Sequence, residues 1–197
     1  YVLESDGLIV DDTTATVQRV NSNNSLTATV DGTQSDVLTT SGNGSIVIRT
    51  TAGSITLDDG TVKADGSAGT DNTSVSANGT GNVLIEALGV GTDITVNGDI
   101  ASGTGHVTVM AAQSVAFTAT ADILTAGSGT IYVQGTSGSV TQADNSRFTA
   151  SAGDIRVVAG DTITLGGATT NASVSLIAGT GSILDAGSAF GNEDVIA

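Results

Sequence analysis

Residues 105–134 read GHVTVMAAQSVAFTATADILTAGSGTIYVQ, and their spacing decides the fold. Val107 and Val109 flank one polar residue, and 24 positions later the same pair returns as Ile131 and Val133. Apolar residues at i and i+2 with a different face between them mark a strand that is buried on one side. Equivalent pairs run along the chain as Ile46/Ile48, Val83/Ile85, Val107/Val109, Ile131/Val133, Ile155/Val157 and Val174/Leu176, with a constant step of 24 from residue 83 to residue 155. A fixed step of this length signals a repeat architecture.

A second pair follows in each unit: Ile55/Leu57, Ile94/Val96, Val115/Phe117, Val140 with polar Gln142, Ile163/Leu165, and Ile183 in the last unit. A third apolar point comes at Val62, Ile100, Ile123 and Phe148. Three short strands and three turns per unit describe one triangular coil of about 24 residues. The expected fold is therefore all-β, a parallel β-helix solenoid in which each strand pairs with its equivalents one coil above and below.

Deviations from the step locate the irregular parts. Ile46 to Val83 spans 37 residues, and the surplus is assigned to a corner insertion at 65–79, DGSAGTDNTSVSANG. Ile155 to Val174 spans 19, so a turn is shortened around Gly166 and Gly167. Residues 1–40 fit the pattern poorly and read as irregular first coils or a capping segment, with strands at DGLIVDD and at Leu26, Ala28 and Val30; residues 41–197 read as the β-helix proper. YVLESDGLIV lacks a basic signal-peptide start and FGNEDVIA shows no capping helix, so the expectation is a fragment of a longer chain.

Composition narrows the function classes. With 39% apolar but only 3% aromatic residues, the core must be built from Val, Ile, Leu and Ala. The net charge of −15 would repel nucleic acid and anionic membrane surfaces. No apolar run approaches the ~18 residues of a membrane span, and the absence of cysteine removes disulfides and thiolate metal sites.

GSIVIRTTAGSITLDDG (44–60), GHVTVMAAQSVAFT (105–118), GDIRVVAGDTITLGG (153–167) and VSLIAGTGSILDAG (174–187) resemble the repeats of filamentous haemagglutinin-like exoproteins, the giant adhesins of bacterial surfaces. The resemblance covers residues 44–187. It implies export to the cell surface and a β-helical stalk that attaches cells to a protein or carbohydrate on a neighbouring cell, or contacts other segments of the same giant chain. The 24-residue step is longer than many repeats of that group, and its N-terminal secretion domain is not in this sequence.

Several residue sets are candidates for chemistry. His106 is the one histidine, at a strand start, with no second imidazole or thiol to join it. Asp154 and Arg156 share an outward face and read as a surface ion pair. Asp58, Asp59, Asp65 and Asp71 surround glycines in DDGTVKADGSAGTDN and offer the hard oxygen ligands of a calcium loop, the sole cofactor the sequence suggests, although the spacings of an EF-hand and of the nonapeptide calcium roll are both missing. Thr56, Thr95, Thr141, Thr162 and Thr164, with interleaved serines, form an outward Ser/Thr face such as ice-binding solenoids use. On the first-strand face Leu84, Met110, Tyr132 and Val158 form an exposed apolar stripe that zigzags between two columns, a surface for another polypeptide unless residues 1–40 or the 65–79 insertion fold over it. The expected function is a non-catalytic structural or adhesive segment of a large exported surface protein. The alternatives are an ice-binding solenoid and a carbohydrate-active β-helix enzyme or tailspike-like module.

Overall fold

The computed structural model describes residues 1–187 and 194–197, so part of the C-terminal FGNEDVIA stretch lies outside the described residues. The described residues wind through seven coils. The first holds β1 (Val2–Glu4), β2 (Leu8–Val10), a hairpin of β3 (Thr16–Val20) and β4 (Leu26–Val30), and β5 (Val37–Leu38). Next come β6 (Ile46–Thr50), β7 (Ile55–Leu57) and β8 (Thr73–Ala77), then β9 (Val83–Ala87), β10 (Ile94–Val96) and β11 (Asp99–Ser102). The fourth coil is β12 (Val107–Ala111), β13 (Val115–Phe117) and β14 (Ile123–Thr125), and the fifth is β15 (Ile131–Gly135), β16 (Val140–Gln142) and β17 (Phe148–Ala150). The last two are β18 (Ile155–Ala159), β19 (Ile163–Leu165) and β20 (Ala168–Thr169), then β21 (Val174–Ala178), β22 (Ile183–Asp185) and β23 (Val195–Ile196).

Equivalent strands stack into three seven-stranded parallel sheets: sheet I from the first strand of each coil, sheet II from the second and sheet III from the third. This is a parallel β-helix with three strands per coil, and no helix occurs among the described residues. The register follows the sequence step, with Val83, Val107, Ile131 and Ile155 in one column and Ile85, Val109, Val133 and Val157 in the next. At about 4.8 Å per strand the rod is about 30 Å long.

In-facing side chains form continuous aliphatic columns, and Ile48, Ile85, Ile94, Ile123, Val133 and Ile163 are wholly buried. Each such side chain contributes roughly 1.5–3 kcal/mol by leaving water. Phe117 of sheet II and Phe148 of sheet III meet edge-to-face at 4.8 Å inside the core. Gln142 is the polar member of its column, and its in-facing position is 1% exposed. Its amide donates to the Ser146 and Gly167 carbonyls and its oxygen accepts from the Gly166 amide, so it holds the shortened turn that Gly166 and Gly167 form.

Two expectations need correction. The 65–79 segment is not a loop throughout: Thr73–Ala77 is the third strand of the second coil, with Val75 and Ala77 buried, and the excursion occupies 58–72. Val62, expected to be the apolar point of that strand, instead makes an isolated antiparallel bridge with Ala68 inside the loop. Residues 1–40 form an irregular first coil and not a cap, and Leu26, Ala28 and Val30 belong to a hairpin that leaves it between β2 and β5. Hairpin and loop depart from the same corner, between sheets II and III, and are tied together there by hydrogen bonds from the Thr61 amide and hydroxyl to Asp12. The corner between sheets III and I, just before each sheet I strand, is tighter. Gly81, Gly105, Gly129 and Gly153 stack so closely that a Cβ on each would overlap the carbonyl oxygen of the glycine one coil earlier.

Candidate functional site

Most polar residues that precede a strand are spent on joining coils. Before sheet II, the Ser54 hydroxyl accepts from the Asp93 amide at 3.0 Å, the Asp93 carboxylate from the Ser114 amide at 2.9 Å, and the Ser114 hydroxyl from the Ser139 amide at 3.2 Å. Ser139 and Thr162 continue the ladder to Thr162 and Ser182. Before sheet I, Ser45, Asn82 and His106 accept in the same way from the amides of Asn82, His106 and Thr130. His106 is therefore a rung: Nδ1 accepts from the Thr130 amide at 3.2 Å, which assigns the acceptor role to that nitrogen. Asp154 turns to the Ser173 amide at 3.0 Å, which replaces the ion pair expected with Arg156, whose side chain is exposed.

The ladder draws on part of the expected Ser/Thr face. Thr162 is a ladder residue, and the outward column of sheet II holds Thr56, Thr95, Ala116, Thr141 and Thr164 in register. Ala116 interrupts the threonines, and the exposed Ile9 and Leu184 end the column. The face is flat, but its hydroxyl lattice is broken.

The acidic residues are concentrated on one edge. Asp11, Asp12, Asp31, Asp36, Asp58, Asp59, Asp65, Asp71, Asp99, Asp122, Asp144 and Asp194 all lie between a sheet II strand and the start of the sheet III strand that follows it, with Arg19, Lys63 and Arg147 as the basic residues there. Nothing in the linear order of the carboxylates shows that they converge, because they are brought together only by the coiling. Of the four expected calcium ligands, Asp59 and Asp71 both accept from the Thr73 amide, whereas Asp58 accepts from the Asn97 side chain and Asp65 from the Ser67 amide. Among the described residues no three carboxylate or imidazole groups gather as a metal site.

Crowding perturbs this edge. Burial pushes the Asp36 carboxyl up to about 6, and the Asp71 and Asp59 carboxylates add to the rise, while the nearby Ser35 side chain opposes it. Neither Asp36 oxygen makes a well-aligned hydrogen bond, and the residue sits at a φ of 64°. Burial likewise raises Asp99 to about 6, against the opposing hydrogen bond from the Asp122 amide.

Sheet I is the face opposite that edge. Its outward positions form two columns: Val47, Leu84, Thr108, Tyr132, Arg156 and Ser175, and beside it Arg49, Glu86, Met110, Gln134, Val158 and Ile177. Leu84, Met110, Tyr132 and Val158 alternate between the columns and are half-buried by neighbours in their own sheet. The Tyr132 hydroxyl lies along the strand and donates to Gln134 at 2.6 Å. Arg49 pairs with Glu86 at 2.7 Å. A groove of about 200 Å³ lies beside Glu86, Leu88, Met110 and Thr136. The hairpin and the 58–72 loop leave from the opposite corner, so neither is placed to cover the stripe.

Comparison with known proteins finds no matching family model, no similar curated protein and no similar solved structure.

Proposed function

We propose that the chain is a non-catalytic structural and adhesive rod, a segment of a large exported bacterial surface protein, which makes its contacts through the outward face of sheet I. The observation that carries this reading is the apolar stripe of Leu84, Met110, Tyr132 and Val158 on a face that neither excursion covers. Aligned apolar residues on a flat surface mark an interaction site. The repeat resemblance to haemagglutinin-like exoproteins supports the surface location, and the inter-coil ladders support a role that demands mechanical continuity.

Display of this chain on a non-adherent bacterium tests the proposal. Attachment to protein-coated or polysaccharide-coated surfaces is expected, and L84S/Y132S is expected to reduce it several-fold without loss of the sheet spectrum, since both side chains point out of the core. No gain of attachment on display, or cleavage of a polysaccharide by the purified protein, overturns it. Ice binding is a second reading favoured by the register of Thr56, Thr95, Thr141 and Thr164. Thermal hysteresis that disappears on replacing Thr141 and Thr164 with bulky residues would select it.

A further inference from the structure

We infer that sheet I is a self-association surface, on which a second copy of this chain packs its own sheet I with the two rods antiparallel. The inference rests on the proposed interaction role of this face and names its occupant.

Electrostatics choose the face. Two chains of charge −15 repel, and they approach at least cost where their carboxylates are farthest apart. The acidic edge lies between sheets II and III, so contact through sheet I puts the two edges on the far sides of the pair. The outward positions of sheet I hold Arg49, Glu86 and Arg156, an excess of one positive charge on an otherwise acidic molecule. A partner of the same composition meets no uncompensated carboxylate there.

The pattern is also self-complementary. A two-fold axis along the strand direction, between the fourth and fifth coils, lays the third coil of one copy over the sixth of the other. Arg156 of each copy then stands diagonally across from Glu86 of its mate, whose own Arg49 contact at 2.7 Å leaves a second oxygen to share. Met110 lies diagonally across from Tyr132, a favourable sulfur–aromatic pairing. Val158 covers the groove beside Glu86 and Met110. Face-to-face sheets at about 10 Å allow such interdigitation.

The size sets the strength. Seven strands about 4.8 Å apart and five residues at about 3.3 Å each give a face on the order of 500 Å² per copy. The total is below the ~1,200 Å² of standard stable interfaces, so the dimer belongs with weak, transient contacts.

Sedimentation equilibrium of the purified protein, from about 10 μM to 1 mM at low and at 0.5 M NaCl, provides the test. The expected result is concentration-dependent dimerisation that strengthens at least several-fold with salt, because screening relieves the net repulsion more than it weakens the Glu86–Arg156 contacts. L84S/Y132S should abolish it, and R156E should weaken it. Leu124→Ser, which removes an exposed apolar residue of sheet III, should leave it unchanged. If L84S/Y132S loses its sheet spectrum, R156E decides alone, since that side chain is exposed. A monomer at 1 mM in both salts, an association that salt weakens, or one that resists R156E but yields to Leu124→Ser overturns the inference. A chain that adheres on display yet stays monomeric overturns this inference alone, whereas one that dimerises without adhering overturns only the proposed function.

Discussion

At the scale of single residues the molecule depends on polar groups that reach one coil away. Gln142 breaks the aliphatic pattern in the sequence, and its period-2 phase already places it inside. Its purpose is illegible there, because its partners Ser146, Gly166 and Gly167 are set by a turn shortened in the next coil. Replacing it with leucine fills the space but strands the Gly166 amide and the Ser146 carbonyl, while the Gly167 carbonyl keeps its bond from the Phe148 amide. Leaving buried polar groups unpaired costs about 1–3 kcal/mol each at most. Gln142→Leu should therefore lower the thermal midpoint by about 5–10 °C for a chain of this size, read by circular dichroism. His106 follows the same rule. Its Nδ1 does for Thr130 what Asn82 does for His106, so the lone histidine reads as an isolated surface group until the coil stacks.

At the scale of strands and corners, legibility divides cleanly. Sheets I and II were readable because their strands carry Val, Ile and Leu in strict alternation, and one-residue errors in phase would invert every face. The third strand of the second coil, Thr73–Ala77, hid because TSVSA holds a single large apolar residue and follows fifteen residues of turn-forming sequence. Hairpin β3–β4 was hidden for a different reason: its strands are exposed on both sides, so burial left no pattern in them. That same exposure makes the hairpin dispensable. Thr13 and Gln34 pair across its base, so their backbones are already adjacent. Deleting residues 14–33 and joining the ends with two glycines should preserve the sheet spectrum and change the midpoint by no more than a few degrees. A collapse of the fold on this deletion would mean that the hairpin is part of the first coil and not an excursion from it.

At the scale of the whole rod the coiling gathers carboxylates that the sequence scatters, and this sets how stability responds to pH. Asp36 and Asp99 have carboxyls raised to about 6, above the ordinary aspartate value near 3.9, chiefly by burial. A group that holds its proton more tightly folded than unfolded favours the folded state once protonated. Its ionised form costs stability above pH 6, and that cost disappears as pH falls through the interval from about 6 to about 4. Carboxyls at Glu4, Asp12 and Asp65 are shifted the other way, by hydrogen bonds from Ser5, Thr61 and Ser67, so their contribution is lost only on further acidification. The midpoint should thus rise from pH 8 to a maximum near pH 5 and fall below pH 4. Partial exposure of Asp36 and Asp99 mutes their share through solvent screening. The double variant D36N/D99N separates local burial from the general repulsion of a −15 chain. Asparagine keeps an acceptor for the Asp122 amide and tolerates the φ of 64° at residue 36, while it removes both titrating charges. Its midpoint should exceed that of the parent at pH 8, match it near pH 5, and show a flatter slope between. A parent profile that falls steadily from pH 8 to pH 5, or a double variant with an unchanged slope, would locate the pH response away from the acidic edge.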